Sequence, residues 1–187
     1  DAYRRAGGPA AGAVDHLKNA VRAVEVHRVT FQRLHSRLKD LLAEEGLAER
    51  DQEALLDSWL VQGDFLLEPL DGEFDVVVGN PPYVRQELIS DVILDEYRRR
   101  YSTLYDRADM YVPFIERSLR LLKIGGTLTF ICADRWTKNR YGGPLRRMVA
   151  RAYHLKFFVD RVDTPAFHSA VIAYPAIFSI AREQRGT

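Results

Sequence analysis

The sequence predicts a layered α/β fold built on a mostly parallel sheet. Three observations predict it. Short β-branched runs alternate with amphipathic segments along the chain. Several of the intervening segments exceed ten residues, enough for a helix to cross a sheet face, and such strand–helix–strand units imply parallel neighbours. The composition is globular, with 47% hydrophobic and 28% charged residues in 187. There is enough apolar material for a core without disulfides or metals. At this length one ordinary domain, or one domain with a short appendage, is expected.

The elements follow in order. Ala20 to Val26 alternates apolar and polar residues and predicts a short strand. Arg28 to Glu45 carries Val29, Leu34, Leu38, Leu41 and Leu42 at near-helical spacing and predicts an amphipathic helix stopped by Gly46. Arg50 to Leu60 suits a helix running into a strand at Leu60 to Gly63. Phe74 to Val78 (FDVVV) predicts a buried parallel strand. Asp109 to Lys123 places Val112, Ile115, Leu119 and Leu122 on one helical face, with Gly125 and Gly126 expected to end the helix and turn the chain. Thr127 to Cys132 predicts a strand, Pro144 to Ala152 a helix, His154 to Val159 a strand, and Val171 to Ala181 a last, long strand. No internal repeat or low-complexity tract is present.

Several function classes are excluded. One cysteine, Cys132, rules out an intramolecular disulfide framework and a cysteine-based zinc site. Inside the strand as ICAD, it reads as a small buried residue rather than a nucleophile. The histidines 16, 27, 35, 154 and 168 lack metal-ligand spacing, so no metal is expected. Apolar runs such as Thr127 to Ala133 are too short or too interrupted to cross a bilayer. No charged-then-apolar leader opens the sequence, which makes a cytoplasmic, reducing setting the default expectation.

The net charge of +1 hides an asymmetry. Residues 1–93 hold 10 Lys/Arg against 17 Asp/Glu, a balance of −7; residues 94–187 hold 17 against 9, or +8. A basic half suits a polyanion, whose counterions clustered Lys and Arg displace. The competing account is a solvated surface with unevenly placed charges.

One tetrapeptide carries the chemistry: Asn80-Pro81-Pro82-Tyr83, directly after FDVVVG. Ligands of open α/β sheets bind outside the carboxyl ends of the strands. Pro81 fixes its own φ and pushes Asn80 towards extended geometry, and Pro82 stiffens the next step. The turn presents an amide oxygen, a free main-chain carbonyl and an aromatic face together. The Asn80 oxygen and the Pro81 carbonyl could each accept one N–H bond from an exocyclic amine on a planar ring. Accepting both draws the nitrogen lone pair out of conjugation and aims it at an electrophile. Tyr83 could stack on that ring and stabilise developing positive charge.

Here the sequence resembles a known family. NPPY after a hydrophobic strand resembles motif IV of the S-adenosylmethionine-dependent amino-methyltransferases. The wider pattern, GDFL, FDVVVGNPPYVRQE and LLKIGGTLTFI, is most similar to DNA adenine methyltransferases of restriction–modification and related phage-defence systems. The resemblance runs from about Val21 to Ile180. NPPY alone is shared with methyltransferases of protein glutamine and of ribosomal RNA guanine. The resemblance implies a Rossmann-like methyltransferase sheet, S-adenosylmethionine as cofactor, and double-stranded DNA with a flipped adenine as substrate. It also raises a fused or associated restriction nuclease or defence subunit as a partner.

Further roles are implied position by position. Glu25, ending the first strand, matches the acid that hydrogen-bonds the cofactor ribose, as acids do after the second strand of nucleotide-binding sheets. Asp64 and Phe65 match the pair that contacts the cofactor adenine, although a turn or capping aspartate competes for Asp64. Phe114 matches an aromatic that packs on the same adenine, with core packing as the plainer account. Phe167 matches the aromatic that stacks on an extruded base opposite Tyr83. The basic run holding Arg135, Lys138, Arg140, Arg146, Arg147, Arg151, Lys156 and Arg161 suits phosphate contacts. Arg98, Arg99 and Arg100 suit the same role or a solvated helix face. Arg85 and Gln86 fall where the flipped nucleotide would be touched.

Three family features are not found. A glycine-rich turn should follow the first strand and meet the methionine end of the cofactor. Gly7-Gly8-Pro9-Ala10-Ala11-Gly12 is glycine-rich, but no strand precedes it. DAYRRA resembles the end of the helix that follows such a turn. The expectation is therefore a partial catalytic domain, lacking the first strand, the glycine-rich loop and the target-recognition domain. Such a chain would expose unpaired sheet edges and be marginally stable or prone to aggregate. The functional expectation is transfer of a methyl group to the exocyclic amine of a flipped adenine. The alternatives are a glutamine or ribosomal RNA guanine substrate, or an inactive fragment serving as a DNA-binding or interaction piece.

Overall fold

The computed structural model describes residues 2–8, 12–70, 73–160 and 175–183. Its contacts divide the chain into two compact units, Asp1–Glu68 and Pro69–Thr187. No described helix is long and apolar enough to cross a membrane.

The first unit contains the short helices α1 (Ala2–Arg5) and α2 (Ala13–Leu17), strand β1 (Ala23–Glu25), helices α3 (Arg28–Glu44) and α4 (Glu49–Trp59), and strand β2 (Leu60–Gln62). β1 is shorter than its predicted span because the Ala20 N–H donates to the Leu17 carbonyl at 2.8 Å, closing a turn over the first residues of that stretch. β1 and β2 pair in parallel, with Glu25 opposite Gln62. Gly46 ends α3 as expected: at φ +77° it allows the left-handed step, and its N–H and that of Leu47 cap the Ala43 and Leu42 carbonyls. α4 buries Gln52, Leu55 and Leu56. The Trp59 indole N–H donates to the Leu17 carbonyl at 2.7 Å, tying α4 to α2.

The second unit contains β3 (Phe74–Gly79), α5 (Asp91–Arg100), α6 (Tyr111–Arg120), β4 (Leu122–Ala133), α7 (Arg135–Lys138), α8 (Gly143–Ala152), β5 (His154–Asp160) and β6 (Pro175–Ala181). Its sheet runs β3-β4-β6-β5. β3 and β4 are parallel, and β6 lies antiparallel between β4 and β5, so three of the four strands share one direction. Leu128, Phe130 and Cys132 alternate inward along β4, as the period of a strand requires. Phe178 anchors the core, with the rings of Phe158, Phe130 and Trp136 at 6.5, 6.5 and 5.6 Å.

Three expectations need correction. The helix predicted for residues 109–123 covers only Tyr111–Arg120, and β4 begins at Leu122. Gly125 and Gly126 therefore do not end the helix; they form an irregularity inside β4, where the register against β3 shifts between Phe74 and Val76. Gly125 sits at φ +87°, and its N–H donates to the Arg182 carbonyl at 2.6 Å. A Cβ at Gly126 would lie 2.8 Å from the Phe74 carbonyl oxygen, which only glycine avoids. β3 is parallel as predicted but not buried: Val76 and Val78 are 63% and 73% exposed. Among the described residues its only strand partner is β4. Of the predicted last strand, residues 175–181 form β6, and residues 171–174 lie outside the described residues.

Candidate active site at the end of strand β3

The motif begins where β3 stops. Gly79 is the last paired residue, opposite Phe130 of β4, and a Cβ there would press on the Phe130 ring at 3.0 Å. Asn80 follows on the surface. Pro81 is buried, Pro82 is exposed and Tyr83 is 38% exposed. The motif thus has one anchored residue, Pro81, among three presented ones. Partial burial, with Cys132 nearby, pushes the Tyr83 phenol up to about 12, so its ring stays neutral at physiological pH. Cys132 is buried, and burial raises its thiol well above the ordinary range, which suits packing and not nucleophilic chemistry.

The segment after the motif is irregular, yet it is tied down. The Val84 carbonyl accepts the Met110 N–H at 2.9 Å. Gln86 opens a 3-10 turn over Gln86–Leu88, and its side chain is directed inward and buried. Its Nε2 donates to the Asp106 carbonyl at 2.5 Å, and its Oε1 accepts from Arg98 at 2.9 Å. The amide is spent on the protein, so the expectation that Gln86 touches a nucleotide is withdrawn. Arg85 is exposed beside it.

A polar cluster stands at the N-terminus of α6. Tyr111 and Tyr141 share a hydroxyl–hydroxyl hydrogen bond of 2.9 Å, and the Tyr141 hydroxyl reaches Asp109 Oδ2 at 3.5 Å. Burial holds the Asp109 carboxyl above the usual carboxylate range, against the opposing pull of Arg135, Tyr141 and Arg85. Deeper in α6, Glu116 is fully buried; it accepts the Thr103 N–H at 2.8 Å and pairs with Arg120. Sequence reasoning missed Asp109, Tyr141 and Glu116. The available signal was Glu116 itself, an acid on an otherwise apolar helix face.

The other sequence-derived candidates divide between the units. In the first unit Glu25 and Asp64 lie at the carboxyl ends of the paired strands β1 and β2, and the Gly63 N–H donates to the Glu25 carbonyl at 3.1 Å. Glu25 Oε1 accepts the His27 N–H at 2.7 Å, just before α3. Asp64 Oδ1 accepts the Leu66 N–H at 2.8 Å, and its carbonyl accepts from Leu67 and Glu68. The turn aspartate considered for this position is therefore present, with Phe65 half-buried next to it. In the second unit Phe114 is half-buried on α6 between buried Pro113 and Ile115. Arg135 is exposed at the start of α7. Lys138 is 64% exposed, and its Nζ donates to buried Asp134 at 2.6 Å and lies 3.8 Å from Asp160. Arg146 spends its guanidinium on the Trp136 and Asn139 carbonyls at 2.6 and 2.8 Å. Arg99 and Arg100 pair with Glu96, and Arg98 lies 3.8 Å from Asp95, so α5 carries the solvated helix face. Phe167 and Arg161 lie outside the described residues. No three His, Cys, Asp or Glu side chains among the described residues are grouped to hold a metal ion.

With this geometry in place, similarity to known proteins is informative. Residues 15–167 match the Eco57I restriction-modification methylase family. The chain is 62% identical over 182 residues to the Type II methyltransferase M.PaeR7I of Pseudomonas aeruginosa, covering 97% of this chain and 32% of that protein. It is 52% identical over 180 residues to the Type II methyltransferase M.XhoI of Xanthomonas vasicola, covering 96% and 33%. The chain thus spans about a third of the length of these relatives. Among solved structures it is similar to a Listeria monocytogenes protein described as a class I S-adenosylmethionine-dependent methyltransferase. That match has TM-score 0.56 and 20% identity, and covers 74% of this chain and 42% of the other. The likeness gives the fold, a Rossmann-like methyltransferase sheet.

Proposed function

The chain belongs to the Eco57I restriction-modification methylase family, and on that premise we propose that it is the catalytic core of a site-specific DNA adenine methyltransferase. The observation that carries the reading is Asn80-Pro81-Pro82-Tyr83 at the carboxyl end of β3, with Pro81 buried and Asn80 and Tyr83 presented.

The substrate is an adenine extruded from the duplex, because the amine is otherwise held in the base stack. The Asn80 side-chain oxygen and the Pro81 carbonyl accept its two N–H bonds, and Tyr83 stacks on the ring. These contacts leave the amine lone pair free to attack in line. Transfer of a methyl group to that nitrogen would leave it with one proton in excess, and that proton would leave to solvent. Nothing in the step needs a covalent enzyme intermediate. Pro82 contributes stiffness, so the acceptors are fixed before substrate arrives.

S-adenosylmethionine, when bound, supplies the electrophilic methyl group. The donor set of the first unit fits its nucleoside. Glu25 suits ribose hydroxyls, since a carboxylate has several acceptor sites and can keep the His27 bond as well. Asp64 and Phe65 suit the adenine amine and ring. Arg85, Arg135 and Lys138 suit the phosphates near the extruded base. Target recognition, and any nuclease or defence partner, would come from polypeptide outside these residues.

Asn80→Ala, made in the gene product that contains this chain, tests the reading. Methylation should fall on the order of 10²–10³-fold, the size of losing one preorganised hydrogen-bonding group at a reacting centre. Cofactor affinity measured by calorimetry should be largely kept. Unchanged methylation of plasmid DNA in that variant would sink the assignment. Methylation of glutamine or ribosomal RNA in place of DNA, read by mass spectrometry, would move the substrate.

A further inference from the structure

We infer that Gln86 is a positioning residue, holding the methyl-acceptor turn in register through the Asp106 carbonyl. The inference rests on the proposed function of the motif, but its structural half stands without it.

From Asn80 to Arg85 the chain has no helix or strand bonding of its own. Three points fix the stretch: the buried Pro81, the Met110 N–H on the Val84 carbonyl, and the Gln86 side chain on the Asp106 carbonyl. The second and third reach the same partner segment, residues 106–110. That segment is held in turn by its own burial, with Ala108 and Met110 inside, and by α6 following directly after Met110. The motif is therefore referenced to α6 through a two-point clasp.

The chemistry of the clasp is directional. Arg98 can only donate, so its bond identifies Oε1 of Gln86 and leaves Nε2 to donate to Asp106. The amide is 6% exposed, so water cannot readily replace a lost bond there. Asp106 itself adopts φ +56°, the left-handed conformation that only a few residue types tolerate, and it is the only non-glycine residue with positive φ among the described residues. Such a conformation persists where the surroundings over-determine it. Here it presents a main-chain carbonyl to a buried amide six residues beyond Asn80. In-line transfer between a fixed donor and an extruded base tolerates little displacement, and a shift of about 1 Å can cost on the order of 10²-fold.

Gln86→Glu is the informative substitution. It keeps the volume and can keep the Arg98 bond, but an ionised carboxylate cannot donate to the Asp106 carbonyl. In the gene product containing this chain, kcat for DNA methylation should fall by about 10–100-fold. KM for the cofactor and the dissociation constant for DNA should change less than about threefold. Asp106→Gly, which relieves the left-handed residue while keeping the carbonyl, should retain kcat within about threefold. Amide hydrogen exchange gives a readout that needs no substrate: the Met110 N–H should lose protection in Gln86→Glu while β4 and β6 keep theirs. Wild-type Met110 protection in Gln86→Glu would overturn the clasp, whatever the activity. Lost protection with unchanged kcat would overturn the positioning role. If the wild-type protein methylates no DNA, the proposed function fails, and the exchange result still decides the clasp.

Discussion

The two units differ most in what their helices bury. In the first, α3 runs for 17 residues and buries none of them, with Val29 and Leu41 exposed. In the second, α6 runs for 10 residues and buries seven. Both sequences look amphipathic, yet only α6 has a four-stranded sheet in its own unit to lie near. The first unit offers a pair of three-residue strands. An apolar stripe therefore licenses a helix but not the amount of core behind it. The functional candidates follow the same division. The motif sits at the end of a strand paired along its length to the well-buried β4, whereas Glu25 and Asp64 rest on a small scaffold and are set by local bonds to His27 and Leu66.

Substitutions in the two cores can break this contrast. Ile115→Ala on α6, at a fully buried site, should cost about 2–5 kcal/mol by urea unfolding. Val29→Ala on α3, at a 69% exposed site, should stay within about 0.5 kcal/mol. Leu55→Ala divides the units more finely. Leu55 is fully buried in α4, so its loss should speed amide exchange in β1 and β2. The ladder between β4 and β6 should keep its protection. Equal loss of protection in both sheets would show that the units unfold as one.

Glu116 tests how a polar group strengthens the better core. Its carboxylate is fully buried, accepts from Thr103 and pairs with Arg120. Hydrogen bonds to a charged group contribute about 1.5–3 kcal/mol, and leaving one buried partner unsatisfied costs a similar amount. Glu116→Gln should therefore cost about 1–3 kcal/mol and loosen residues 101–104 ahead of β4 in hydrogen exchange. A neutral result would mean that burying the charge offsets the bonds it makes.

Much of this was legible in the residues. The strand before Asn80, the α6 face and the Gly46 stop follow from periodicity and from glycine's freedom at positive φ. The NPPY tetrapeptide marked the candidate site because two prolines fix its backbone whatever surrounds it. The rest depended on pairing that no local pattern encodes. Gly125 and Gly126 signal a break, but only the Phe74 and Arg182 carbonyls place that break inside β4 instead of before it. FDVVV signals a strand, but its exposure depends on which faces other elements cover. Gln86 followed the motif so closely that substrate contact was the natural expectation. Its inward bond goes to the carbonyl of Asp106, twenty residues downstream.

Asp109 carries the smallest effect and the sharpest sign. It lies in the densely packed unit, where burial raises its carboxyl pKa while Arg135, Tyr141 and Arg85 only partly oppose the rise and Glu87 reinforces it. The folded chain thus binds that proton more tightly than the unfolded chain does. The contribution to stability is fully present below the ordinary aspartate value of about 3.9, and it is lost as pH rises through the raised folded value. At neutral pH the ionised carboxylate is a mild burden on a core that otherwise gains from burial. Asp109→Asn removes the titration and keeps an oxygen for the Tyr141 hydroxyl. Its melting temperature should exceed that of wild type by less than about 2 °C at pH 7, and the gap should close as pH falls below about 4. A lower melting temperature for Asp109→Asn at pH 7 would mean that attraction to Arg135 outweighs the cost of burial. Asp109 would then count among the bonds that stabilise this unit.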